Sequence, residues 1–219
     1  MSKQTKKASS FWLKWVLLNG IAWLIGLGLV DVLLVGPPIW LWGLLSGLVI
    51  GIIQGLVLRH RINWIRWLLV TVPSWFLGLW IGGLFSLYLL RIPVHHTARI
   101  FAFDVVFGIL GGTLSIILQY SVCWRDVYSR KRGWLFILIV SSVVAGLASG
   151  IVVWGVQEIA SLFALFALWD VWVLTSSATG GILFGSITGV PLAWLLYSTS
   201  EIVNHKSTNS EGQINRAYS

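Results

Sequence analysis

Apolar residues fill six long stretches of the chain, and polar or charged residues collect between them. The stretches cover 11–35, 39–58, 64–90, 100–122, 134–157 and 171–197. Each is about twenty residues or longer, enough for a helix to cross the hydrocarbon of a bilayer. The pattern predicts an all-α membrane protein with six transmembrane helices. Residues 1–10 form a basic tail, and the run that follows is too long for the core of a cleaved leader, so it is expected to stay as the first span. Residues 11–197 form the membrane domain. Residues 198–219 are polar, lack apolar periodicity and are expected to be disordered. The segment 158–170 contains the apolar stretch IASLFALFALW, too short to span, and is expected to lie in the interface or to re-enter.

Inside the apolar runs, glycines recur at intervals of four. Gly43, Gly47, Gly51 and Gly55 mark one stripe, Gly181, Gly185 and Gly189 another, and Gly108 and Gly112 a third. Four residues is about one helical turn, so each stripe is a smooth groove along one helix face. In lipid, such grooves let backbones approach and gain van der Waals contact. Gly47, Gly51, Gly108, Gly112, Gly181 and Gly185 are therefore expected to be helix-packing positions.

The odd and even spans differ in type. Spans one and three share W-x7-W-x2-G, at Trp15, Trp23, Gly26 and at Trp67, Trp75, Gly78. Span five keeps Trp134 and Gly146 one residue further apart, with Ser142 in place of the middle Trp. Each even span carries G-x3-G-x2 followed by Gln54, Ser115 or Thr188. This reads as three repeats of a two-helix hairpin, parallel to one another about an axis along the membrane normal. Gln54, Ser115 and Thr188 then form a candidate intramembrane polar layer. Polar groups at such depth mark binding or permeation sites. Interhelical hydrogen bonding, at about 0.6 kcal/mol each, is the plainer role.

The stretch GLVIGIIQGLVLR (47–59) resembles the G-x3-G-x2-Q-x3-L-R pattern of uncharacterised polytopic membrane proteins common in cyanobacteria. The final span, GGILFGSITGVPLAWLL (180–196), resembles the last helix of the same proteins. The fourth span departs from them, with Gln119-Tyr120 where L-R would stand. The resemblance implies a multi-pass fold in a bacterial plasma or thylakoid membrane and leaves activity open.

Composition agrees with the pattern. The chain is 57% hydrophobic and 10% charged, against about 25% charged in soluble domains. With the N-terminus in the cytoplasm, the inner side would hold Lys3, Lys6, Lys7, Lys14, Arg59, Arg61, Arg66, Arg125, Arg130, Lys131, Arg132, Lys206 and Arg216, and the outer side only Arg91 and Arg99. That asymmetry places both termini in the cytoplasm. It also accounts for the net charge of +8 without a nucleic-acid partner, since no soluble basic domain exists to carry one. The basic inner loops either set topology alone or also touch anionic lipid headgroups. Trp12, Trp15, Trp64, Trp67, Trp124 and Trp134 at the inner ends, and Trp40, Trp42, Trp154, Trp169 and Trp172 at the outer ends, are expected to be interfacial anchors.

Candidate chemistry is sparse. Asp31, Asp104, Glu158 and Asp170, with His95 and His96, fall on the outer side and could in principle bind a cation. Adjacent histidines in an extended loop point apart, and the carboxylates sit where water reaches them, so solvation is the expected state. The single Cys123 offers no disulfide or metal cluster, and no cofactor is expected. No histidine falls within a span, and no hydrolase, metalloprotease or phosphate-loop motif is present. The chain is expected not to be an enzyme. The expected role is a non-enzymatic assembly, scaffold or regulatory partner, docking other membrane proteins through the glycine grooves. The alternative is a small-molecule or ion transporter, or a membrane-embedded substrate-binding subunit of one.

Overall fold

The computed structural model describes residues 3–34, 38–89, 96–124, 132–162 and 169–217. Six helices in it are long and apolar enough to cross a membrane. α1 begins as Lys3–Trp23, passes through a π-helical stretch Leu24–Leu29 and ends as Val30–Leu34. α2 is Ile39–Leu58 and α3 is Trp64–Leu89. α4 is His96–Gln119 and closes in a π-helical turn Tyr120–Trp124. α5 is Arg132–Leu162 and α6 is Trp169–Ala217. Local chemistry sets two of the starts. The Pro38 carbonyl accepts from the N–H groups of Leu41 and Trp42. Asn63 caps α3, its Oδ1 accepting from the N–H groups of Ile65 and Arg66, which are donors a helix start otherwise leaves unmet.

The helices overrun the expected spans. Residues 158–162 prolong α5 and residues 169–170 open α6, so both ends of the segment expected at the interface are helical; 163–168 lie outside the described residues. α6 likewise runs on through Ala217, where an irregular tail was expected. A helix already nucleated in the membrane extends at little cost per residue, so weak polar sequence suffices to carry it on.

The helices form a closed ring: each packs on the next in sequence, and α6 returns to α1. The glycine stripes set the close contacts. Along α2, Gly43 faces Phe76, Gly47 faces Val72 and Trp75, and Gly51 faces Leu68 and Thr71 of α3. On α4, Gly108 abuts Gly146 and Gly112 abuts Ser142 of α5. On α6, Gly181, Gly185 and Gly189 meet Asn19, Trp23, Val16 and Trp15 of α1. A methyl carbon added at Gly108 would stand 2.8 Å from the Gly146 carbonyl oxygen, so only hydrogen fits there. One residue beyond the α2 glycines, Leu44, Leu48, Ile52 and Leu56 face outward. That is the face that would meet lipid.

Two expectations change. The stripes are consumed inside the ring, so they are not free grooves for docking another protein. The W-x7-W-x2-G pattern also fails in α5 for a geometric reason. Gly26 and Gly78 turn toward the following helix, against Ser46 and Gly111. The extra residue before Gly146 rotates it by about 100°, and it turns back to Gly108 of the preceding helix. Ala145, fully buried, takes the position eleven residues after Trp134.

The interior of the ring is layered. Toward the end that carries Phe11 and Tyr197, here called the basic end, buried Phe11, Trp15, Trp67, Trp134 and Leu192 form one cluster. Toward the far end, Trp23, Ile50, Trp75, Phe107 and Phe184 form another. This corrects the reading of Trp15, Trp67 and Trp134 as interfacial anchors: all three are buried within the bundle. Trp40 and Trp64, by contrast, are exposed. Depth in the membrane follows from position along a span, but the face a side chain takes follows from its neighbours.

Candidate functional site

Between the two clusters lies a belt of buried polar side chains, at least one from every helix: Asn19, Gln54, Thr71, Ser115 with Gln119, Ser142 and Thr188. The spacing explains the belt. In α1 and α3, Asn19 and Thr71 stand four residues after Trp15 and Trp67, hence one turn above them on the same face. In α2 and α6, Gln54 and Thr188 stand four residues from Leu58 and Leu192 of the basic-end cluster and four from Ile50 and Phe184 of the far one. Each of these helices thus presents apolar, polar and apolar groups in successive turns.

The hydrogen bonds form two chains, and each begins at a backbone carbonyl. The Trp15 carbonyl accepts from Asn19 Nδ2 at 2.8 Å. A carbonyl only accepts, so this bond fixes the amide and turns Asn19 Oδ1 outward. Gln54 Nε2 donates to that oxygen at 2.8 Å, which leaves Gln54 Oε1 as the free end. Across the ring, Thr71 Oγ1 donates to the Trp67 carbonyl at 2.8 Å and accepts from Gln119 Nε2 at 2.9 Å. Gln119 Oε1 is then the free end. A third link ties α1 to α6: the Trp15 indole N–H donates to Thr188 Oγ1 at 3.4 Å, whose own hydroxyl donates to the Phe184 carbonyl at 2.7 Å.

Gln54, Ser115, Gln119 and Thr188 line one cavity, closed in by Trp15, Trp67, Trp75 and Phe184 and completed by Leu138 of α5. All six helices contribute to its wall. Its volume is ≈ 30 Å³, room for about two water molecules. The Ser115 hydroxyl is buried and has no hydrogen-bond partner, and neither glutamine carbonyl accepts a bond among the described residues. No charged side chain lines the cavity. The chamber therefore offers carbonyl oxygens, one hydroxyl and aromatic faces. It favours a small guest that donates hydrogen bonds, because each unmet acceptor in such surroundings costs about 1–3 kcal/mol.

The structure brings the three residues singled out by the even-span pattern, Gln54, Ser115 and Thr188, to this one cavity. Asn19 and Thr71 escaped the sequence reading. Each is one polar residue in an apolar run, and the signal that could have found them is their shared place four residues after Trp15 and Trp67. Gln119 stood out in the sequence only as a departure from L-R; its function is to pair with Thr71. Of the acidic and histidine candidates, the side chains of Asp104, Asp170 and His96, and all of His95, lie outside the described residues. Among the described residues no group of three His, Cys, Asp or Glu side chains could hold a metal ion.

The chain matches no family model, and no curated protein or solved structure matches it.

Proposed function

We propose that this multi-pass membrane protein takes up a small, neutral, hydrogen-bond-donating solute in the central chamber, as a small transporter or as the substrate-binding membrane subunit of one. The observation that carries this reading is the convergence of all six helices on one enclosed cavity in which, among the described residues, two glutamine carbonyls and the Ser115 hydroxyl have no protein partner. A cationic guest is disfavoured, since no carboxylate lines the chamber to compensate its charge. Use of the glycine stripes within the ring removes the surface through which a docking role was expected.

Two further points belong to this reading. The basic end faces the cytoplasm, on the strength of the Lys and Arg asymmetry. The ring is built from three hairpins, α1–α2, α3–α4 and α5–α6. This is supported by the recurrence of one relation: each even-helix stripe packs on the next odd helix around the ring.

Proteoliposomes test the proposal. Permeation of water, ammonia, urea and glycerol is followed by stopped-flow light scattering or pH change, with the native chain and with Gln54→Leu. The native chain should carry at least one solute well above protein-free vesicles. Gln54→Leu should lose that activity while eluting as folded protein. Equal permeation by both proteins, or none above background together with no small molecule retained in native mass spectra, would refute the reading.

A further inference from the structure

At the basic end, outside the chamber, a second cavity of ≈ 510 Å³ opens between the start of α1, the α2–α3 turn and α6. We propose that this cavity is a binding site for a phosphate group, with a phospholipid headgroup as the favoured source. Its wall carries Lys6, Lys7, Lys14 and Arg61, together with His60 and Ser10, and no carboxylate. Lys7, Ser10 and Lys14 are spaced to share one face of α1, so the helix delivers its cations to one side. Arg61 is held in place by Tyr197, its guanidinium 5.4 Å from the ring centroid, a contact that leaves the N–H fork available. Among the described residues none of these four cations pairs with an acidic group. Four positive charges around one concavity repel one another, and a bound anion removes that cost.

The floor selects between sources. Phe11 and Leu196 are buried, and with Val57 and Tyr197 they give the cavity an apolar base beneath the cations. A cationic rim over an apolar base suits a group that carries phosphate at one end and hydrocarbon at the other. The volume lies in the range of small-molecule sites. The inference uses no part of the central chamber and stands or falls separately from it.

The test uses the purified full chain. Native mass spectrometry from mild detergent compares retention of phosphatidylglycerol with phosphatidylcholine. Thermal unfolding is measured with inorganic phosphate and with glycerol phosphate. Lys14→Gln and Arg61→Gln are made singly and together, with Arg66→Gln as a control on the same end. Preferential retention of phosphatidylglycerol, lowered roughly fivefold by each single change and roughly 25-fold by both, supports a lipid source. Stabilisation by the soluble phosphates, lost in the same variants, supports a soluble source and the same site. If the double variant does not fold, the singles carry the comparison. No preference for either anion, or equal loss with Arg66→Gln, overturns the proposal.

Discussion

The two aromatic clusters that bracket the polar belt are built differently. At the far end, Trp75 sits at the hub of a compact group. Its ring is 5.4 Å from Trp23, 5.4 Å from Phe107 and 6.2 Å from Phe184, and Trp23 also meets Phe184 at 5.4 Å. At the basic end the ring contacts include a drawn-out chain instead, Tyr197 to Phe11 at 6.1 Å, Phe11 to Trp15 at 6.0 Å and Trp15 to Trp67 at 6.5 Å, and a further pair, Trp134 and Trp194, at 5.0 Å. The larger basic cavity lies directly behind that chain, with Phe11 and Tyr197 common to both. Aromatic pairs contribute about 0.5–1.5 kcal/mol each beyond burial, so Trp75, with ring partners at 5.4–6.2 Å, is harder to displace than the Phe11–Trp15–Trp67 contacts at 6.0–6.5 Å are to part. The difference leads to an expectation that labelling can test: the chamber opens toward the basic end, by separation of Trp15 from Trp67.

The largest effect should come from the hub. Trp75→Ala removes a side chain that is 1% exposed and should cost about 3–5 kcal/mol in reversible unfolding from detergent micelles. Trp67→Ala, at 2% exposed and with its Trp15 contact at 6.5 Å, should cost distinctly less; equal costs would dissolve the contrast between the ends. Glycine positions sharpen the same point. Gly78→Ala at the far end sets a methyl group 2.5 Å from the Gly111 Cα, backbone against backbone, and should cost roughly 1–3 kcal/mol. Gly55→Ala at the basic end has 3.6 Å to Trp64 and Trp67 and should be neutral or stabilising, by about 0.4–1 kcal/mol at most. Melting temperatures of the two variants decide it.

A smaller change in stability is expected in the belt. Gln54→Leu breaks one interhelical bond and leaves Asn19 Oδ1 unmet, a loss of about 1–2 kcal/mol, while solute uptake disappears. Unaltered uptake would place the permeating path elsewhere. Trp15→Phe keeps one aromatic ring but removes the N–H that meets Thr188 together with the rest of the buried indole, a loss of about 1–2 kcal/mol. It should nevertheless speed labelling of a chamber cysteine, such as Ser115→Cys in a Cys123→Ser background, by a thiol reagent added from the basic end. Faster labelling from the opposite end would reverse the assignment of the opening side.

Much of this architecture is legible in the sequence because hydrocarbon imposes simple rules. Twenty apolar residues make a span, and glycines four apart make a contact face. A residue three places after a stripe glycine lies near that face, which is how Gln54, Ser115 and Thr188 can be read together. Which helix a stripe meets is not legible, since that depends on how the ring closes. For the same reason Trp15 and Trp67 look like membrane anchors in the sequence and turn out to wall the chamber. The one-residue offset before Gly146 is visible in the sequence, but its consequence needs the neighbouring helices to be known. Asn19 and Thr71 lack a motif because a lone polar group inside a span acquires meaning only from the partner it meets.

The seam between α1 and α6 has a consequence for how the molecule is made. Gly181, Gly185 and Gly189 pack on residues 12–23, so α1 meets this neighbour only after α2 to α5 have been synthesised. The Asn19–Gln54 pair forms within the first hairpin and shields that polarity early. The Trp15 indole must wait until α6 is made, exposed to lipid and to other chains. Contacts so distant in sequence are slow to form, and an unfinished ring is the stage at which surveillance by membrane chaperones and proteases would act. Closure by α6 thus completes the chamber and ends the interval in which the chain is vulnerable.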